Sequence, residues 1–404
     1  MMIRKRFAGL SVLLAIILLL SGCEGGLRSE TIVIPSSEDE QAADSGSAPF
    51  QVKTIYRLPI SDTKDDQLLG WEDSGSVLGL FQAPDSKMRL SQYLLQRLSP
   101  PYEKFETLQG VDADHWNLEL SPNGKYIAGI KKTKDGNVLK LISLSDGRET
   151  IMATIKPRHD LLLTELTWSD NSRYISYLVT DVATDVASGP VSGQTDVGVA
   201  TNPVVKMAVY DTTARQVKVY PLKGLRNTGS VFEVKMSDDG QSALIVVQNE
   251  RTISISMGTI NGSSFHIEYE HQAGGDQMAW LNKDQFVFLG TEGEIYEYDR
   301  RNMALSVLLE KVLSFQLSQD RKYIAYSQKD DNDTISIFAG KLQGNNVLYK
   351  KSVYQGVFPS VMYWSPHNDS LLVNGRKIYS TSRQQTNPEP SIVSYNQPFI
   401  IKFQ

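Results

Sequence analysis

One phrase recurs along this chain and constrains what it can fold into: a short strand, a polar turn, and a second strand that opens on aromatic or aliphatic residues. At residues 118–132 it reads LELSPNGKYIAGIKK. It returns as LGWEDSGSVLGLF from Leu69, LTWSDNSRYISYL from Leu166, VKMSDDGQSALIV from Val234, AWLNKDQFVFLG from Ala279, FQLSQDRKYIAYS from Phe315 and MYWSPHNDSLLV from Met362, seven copies in all. The residue just before each turn is an anchor: Trp71, Leu120, Trp168, Met236, Trp280, Leu317 and Trp364, with gaps of 49, 48, 68, 44, 37 and 47 residues. A period near this length with β signals throughout predicts a propeller, one four-stranded blade per repeat. Helical repeats of similar period need apolar residues at 3.6 spacing. Here they alternate or run in β-branched and aromatic clusters, as at 323–326 and 335–338. The expected fold is all-β: a seven-bladed β-propeller of four-stranded antiparallel blades. Residues 50–58, FQVKTIYRL, form a strand that belongs to no blade by position. They match the outermost strand of the last blade, so the N-terminal strand closes the ring and removes two sheet edges.

The N-terminus has a different character. Arg4, Lys5 and Arg6 precede an apolar run at 7–20, shorter than the roughly 20 residues that a bilayer span needs. The order of charged, apolar and small residues reads as a signal peptide. Leu20-Ser21-Gly22-Cys23 resembles the bacterial lipobox, and Cys23 is the only cysteine of the chain. The resemblance implies cleavage before Cys23 and a diacylglycerol on its thiol, since two or more acyl chains anchor stably where one is marginal. The expected domains are a signal peptide at 1–22, a lipidated cysteine with an acidic linker at 23–49, and the propeller at 50–404. Residues 24–49 are rich in Ser, Gly, Ala, Glu and Asp, so they read as a flexible tether with a reach of about 25–30 Å. The expected location is the extracytoplasmic face of the bacterial cell membrane.

Composition narrows the partners. The 404 residues are 41% apolar and 22% charged, which suits a chain with a sizeable core. Loss of residues 1–22 removes three cations and no acid, taking the formal net charge from −5 to −8. An acidic, unpatterned balance argues against nucleic acid as a partner. The partners expected are the membrane, through the N-terminal diacylglycerol, and a protein or other envelope component. The domain itself is expected to be a monomer.

In a four-stranded meander, the loops joining strands 2 and 3 emerge on the same face as the links between blades. The 68-residue gap reflects an insertion at 181–203, between the second and third strands of blade 3, with the other such connections expected to be short. Long loops of this kind are functional or surplus. That face gathers Asp112, Asp114 and His115 from one link, Asp181, Asp185 and Asp196 from the insertion, and Asp330, Asp331 and Asp333 from the turn at 329–334. It reads as an acidic candidate binding face, interrupted by Lys131, Lys132 and Lys134.

SPNGKYIAGI (121–130), WSDNSRYISYL (168–178) and WSPHNDSLLV (364–373) resemble the W-S-P-D-G-K phrase and following I-A-[FY] strand of TolB-like and WD40-like propellers. The resemblance covers residues 60–380 at the level of the fold. It implies assembly or binding roles rather than a particular chemistry.

Catalytic signals are sparse. None of the five histidines sits in an HxH or HExxH spacing. The run at 329–334 lacks the Gly and Glu positions of an EF-hand, so a solvated hairpin is the better reading than calcium. There is no Gly-x-Ser-x-Gly elbow, P-loop or dinucleotide fingerprint. No catalytic residue, metal ligand or cofactor is assigned. The leading reading is a membrane-anchored, non-catalytic binding module. The alternatives are a propeller hydrolase or lyase acting on glycan or peptide in the central funnel, and a structural or sensory domain with calcium in the channel.

Overall fold

The recurrent turn phrase becomes the hairpin between the innermost strand of each blade and its neighbour. A computed structural model describes residues 31–33, 49–60, 67–82, 93–111, 115–155, 166–181, 204–222, 230–330, 332–379 and 393–404. The expected signal segment, Cys23 and the rest of the linker up to residue 48 lie outside the described residues. Every described element is a strand. After β1 (Thr31–Val33) and β2 (Val52–Arg57), blade 1 comprises β3 (Gln67–Trp71), β4 (Val77–Gln82), β5 (Tyr93–Leu98) and β6 (Phe105–Val111). Blade 2 is β7 (His115–Leu120), β8 (Tyr126–Thr133), β9 (Gly136–Ser143) and β10 (Glu149–Ile155). Blade 3 is β11 (Thr167–Trp168), β12 (Tyr174–Asp181), β13 (Val204–Asp211) and β14 (Gln216–Pro221). Blade 4 is β15 (Ser230–Met236), β16 (Ser242–Gln248), β17 (Ile253–Asn261) and β18 (Ser264–Ala273). Blade 5 is β19 (Met278–Trp280), β20 (Gln285–Leu289), β21 (Ile295–Asp299) and β22 (Ala304–Leu309). Blade 6 is β23 (Val312–Leu317), β24 (Tyr323–Lys329), β25 (Ile335–Gln343) and β26 (Asn346–Gln355). Blade 7 is β27 (Phe358–Trp364), β28 (Ser370–Tyr379), β29 (Val393–Phe403) and, outermost, β2.

Serine explains the turns. Ser121 Oγ donates to Asn123 Oδ1 at 2.8 Å and accepts from the Tyr126 amide at 2.9 Å. The same arrangement recurs at Ser169 with Asn171 and Tyr174, Ser237 with Asp239 and Ser242, and Ser318 with Asp320 and Tyr323. Each hydroxyl is buried, so it holds the hairpin closed while satisfying its own polar atoms. The phrase is therefore structural. Gly124, at φ +68°, is required for packing: a Cβ there would lie 1.8 Å from the backbone oxygen of Glu72 in the neighbouring turn.

The anchors tie blade to blade. Trp168 Nε1 donates to the Glu119 carbonyl at 3.2 Å, Trp280 Nε1 to Lys235 at 3.2 Å and Trp364 Nε1 to Gln316 at 3.2 Å. In each case the acceptor is the residue before the previous blade's anchor. Trp71 continues the series by donating to Tyr363 at 2.9 Å, which joins blade 1 to blade 7. The indole buries its ring between sheets while its N–H finds a partner.

Seven apolar clusters fill the seven blade interfaces. At the closure, β2 pairs antiparallel with β29 from Val52↔Phe403 to Arg57↔Phe399. Phe50 meets Tyr323, Trp364 and Phe403 with ring centroids 5.5–6.0 Å apart. The expectation of a ring closed by the N-terminal strand is met.

One expectation is corrected. The connection at 182–203 is not the one long link between second and third strands, because β4 and β5 are joined by residues 83–92 and β28 and β29 by 380–392. Hairpin length in a propeller is limited by nothing in the blade core, so several blades can vary it at once.

Candidate functional site

The first strand of each blade borders the axis, and both faces of every blade are covered by its neighbours. A side chain on an innermost strand that stays exposed therefore opens toward the central channel. Three innermost strands carry a β-bulge at an equivalent place. In β15 the register slips between Val231 and Glu233, in β23 between Val312 and Ser314, and in β27 between Pro359 and Val361. The skipped residues are Phe232, Leu313 and Ser360, each four before its blade's anchor. A bulge inserts one extra residue and re-aims its side chain. Phe232 is 45% exposed, Leu313 37%, and the adjacent Phe358 and Val361 38% and 37%. These four apolar side chains come from blades 4, 6 and 7, near the end where those strands begin. They give the mouth of the channel an apolar rim.

The opposite end has a floor of charge. Lys235 Nζ, from β15, lies 2.9 Å from Asp170 Oδ1, in the blade 3 turn. Arg321, in the blade 6 turn, reaches Asp170 Oδ2 at 3.1 Å and also pairs with Asp238 in the blade 4 turn. Blade 6 adjoins neither blade 3 nor blade 4, so the guanidinium crosses the axis. Asp238 Oδ1 accepts from the Asn171 amide at 2.8 Å, linking the two acidic turns directly. Burial pushes the Asp170 carboxyl up, but Lys235 and Arg321 outweigh it and hold it below the usual carboxylate range. Burial likewise opposes the charge on Lys235, and Asp170 overcomes it, raising the ammonium pKa. The channel is thus a cup, apolar at the mouth and ionic at the base.

A cleft of ≈ 520 Å³ extends the mouth sideways between blades 5 and 6. Gly274, Gly290 and Gly293 line it with Lys311, Leu313 and Lys329. It lies beside the β20–β21 hairpin of blade 5, whose strands β19, β20 and β21 are only 3, 5 and 5 residues long. Leu313 belongs to both rim and cleft.

Those of the residues singled out in the sequence that the structure describes fall at this same end. His115 opens β7 opposite Lys131 and is half-buried. Asp181 ends β12 opposite Val204. Asp330 is structural: its Oδ1 accepts from the amides of Asn332 at 2.9 Å and Thr334 at 2.8 Å, closing the hairpin. Asp333 is exposed and pairs with Lys329 Nζ at 2.7 Å. Asp112, Asp114, Asp185, Asp196 and Asp331 lie outside the described residues. The topology puts the described members on one face without converging them on a point. Reading acids missed the apolar rim. Its one sequence signal was the recurrence of an apolar residue four before the anchors Met236 and Leu317.

No protein-family model matches this sequence, and no curated protein matches it. Solved structures do. An oligogalacturonate lyase in complex with manganese aligns with a TM-score of 0.54 at 10% identity, over 87% of this chain and 91% of the lyase chain. The oligogalacturonate lyase of Vibrio parahaemolyticus gives 0.52 at 11% identity, over 86% and 91%. The common fold is a β-propeller. TolB from Acinetobacter baumannii aligns at 0.39 with 15% identity, over 82% of this chain and 64% of its own, which adds nothing to the argument. At such identities the likeness concerns the fold alone. Among the described residues, no group of three or more His, Cys, Asp or Glu side chains is placed to hold a metal ion.

Proposed function

We propose that this protein is a binding module of the bacterial cell envelope, anchored through a diacylglycerol on Cys23, that holds a protein or other envelope component at the mouth of its channel. The observation that carries this is the apolar rim of Phe232, Leu313, Phe358 and Val361. Exposed large apolar side chains at an opening are candidate docking points, because covering them removes apolar area from water. Loops on a rigid ring, the connection between β12 and β13 among them, supply the specificity. The fold likeness to lyases does not favour a catalytic reading, since at 10–11% identity it extends to no residue.

Photo-cross-linking in intact membranes tests the face. A photoreactive residue at position 232 or 313 should capture an envelope partner, and one at position 146, in a turn on the opposite face, should not. With the photoreactive residue moved to position 361 on the same rim, Phe232→Ser combined with Leu313→Ser should cut capture about tenfold, the effect of losing a small hot spot. Equal capture from positions 146 and 232 would place the partner elsewhere and end the proposal. The anchor has its own test. Cys23→Ser should abolish labelling by a palmitate analogue and release the protein from membranes, whereas labelling that persists in that variant would refute the lipidation.

A further inference from the structure

The outermost strands of six blades carry charge: Lys53 and Arg57 in β2, Glu106 in β6, Glu149 in β10, Lys218 in β14, Glu268 and Glu270 in β18, and Lys350 and Lys351 in β26. Charged residues on an edge are the ordinary guard against an added strand. The outermost strand of blade 5 has none. β22 reads Ala-Leu-Ser-Val-Leu-Leu, and from Leu305 to Leu309 every residue is buried. An unguarded edge of this kind invites pairing, and here it is taken. Thr31, Ile32 and Val33 pair in parallel with Ala304, Leu305 and Ser306. This pairing was not expected of a segment read as a tether.

The occupant has the right chemistry. Thr31, Ile32, Val33 and Ile34 are all β-branched, inside a stretch otherwise rich in Ser, Gly and acids, and Pro35 ends any ladder beyond them. Averaged over the linker, this short run is invisible; alone it is a strand. The connection is feasible within one chain. Residues 34–51 reach about 60 Å when extended, enough to pass blade 6, the one blade between the β22 edge and β2.

We propose that the uncharged outer edge of blade 5 is a strand-docking site dedicated to the chain's own residues 31–33, which strap the N-terminal segment to the rim of the ring. Main-chain hydrogen bonds supply the hold, as in β-augmentation generally. One consequence rests on the anchor at Cys23: with the strap seated, about eight residues separate the lipid from the ring, a reach of at most about 29 Å. The propeller then stands with blade 5 toward its attachment instead of tumbling on the whole linker. The strap itself does not depend on lipid.

Hydrogen exchange on the full chain tests it. Adjacent residues in a strand alternate their N–H groups between its two edges, so Ile32→Pro combined with Val33→Pro removes at least one donor facing β22 whichever set of residues faces it. The outward-facing amides of 304–306 should exchange at least tenfold faster in that variant, with amides of β24 unchanged. A second variant, Thr31→Cys with Ala304→Cys in a Cys23→Ser background, should close a disulfide within a monomer under mild oxidation. Unchanged exchange at 304–306 overturns the proposal. So does a disulfide found only between two chains, which would mean that a second copy supplies the strand.

Discussion

Arg321→Ala is expected to destabilise the ring by about 2–3 kcal/mol at pH 7, measured by urea unfolding. Removing one member of a buried ion pair costs roughly 3–5 kcal/mol, because the remaining charge stays desolvated without compensation. The lower figure follows from exposure: the side chains of Arg321, Asp170 and Asp238 are 20%, 21% and 32% exposed, so solvent screens part of the loss. Asp170 keeps Lys235 and Asp238 keeps the Asn171 amide, which limits the damage further. Arg321→Lys should fall between, since a single ammonium cannot fork to two carboxylates. The pH dependence has a fixed sign. Asp170 is held below its ordinary value of 3.8, so its contribution is present above that value and is lost as pH falls through the lower folded pKa. The gap between wild type and Arg321→Ala should therefore stand at neutral pH and close in strong acid. A gap under about 0.5 kcal/mol at pH 7 would show that the floor is ornamental. Partner capture at position 232 should survive the substitution, since floor and rim lie at opposite ends of the channel.

What was legible in the sequence, and what was not, divides along the range of the interactions. The blades were legible because each turn is held by residues within five positions of one another, as Ser121, Asn123 and Tyr126 are. Closure by residues 50–58 was legible because a strand without a blade and a blade without a strand must meet. The floor was not. Arg321 finds Asp170 and Asp238 at separations of 151 and 83 residues, distances that only the closed ring converts into contact. The rim escaped for another reason. Phe232 and Leu313 sit in strands whose alternation reads as ordinary core, and only the slip in pairing turns them outward. Where period-2 patterning is the guide, one inserted residue reverses the side on which a residue is expected. The strap was hidden by composition, since four β-branched residues do not change the mean of a polar linker.

Glu297→Gln should make the protein more stable at pH 8 by about 2–3 kcal/mol while changing little at pH 4.5. Glu297 lies in β21 between Val287 and Ser306 and is 3% exposed. Its Oε1 accepts from Gln285 Nε2 at 2.7 Å, and its Oε2 has no hydrogen-bond partner among the described residues. Burial pushes the carboxyl up, Asp299 adds to the push, and Arg301 offsets it only in part, leaving the pKa at about 7 against an ordinary 4.5. The folded chain therefore keeps this proton over a pH range in which the unfolded chain has released it. Raising the pH from 4.5 to 7 favours the unfolded state, and above about 7 the full penalty is present. A shift of this size corresponds to about 3 kcal/mol. Glutamine keeps the shape and an oxygen for Gln285 but has no charge to expose, so the variant escapes the loss at high pH. Urea unfolding of both proteins at pH 4.5 and pH 8 decides the matter. If wild type and variant lose the same stability between the two, Glu297 is not the group that titrates and its burial is satisfied by other means.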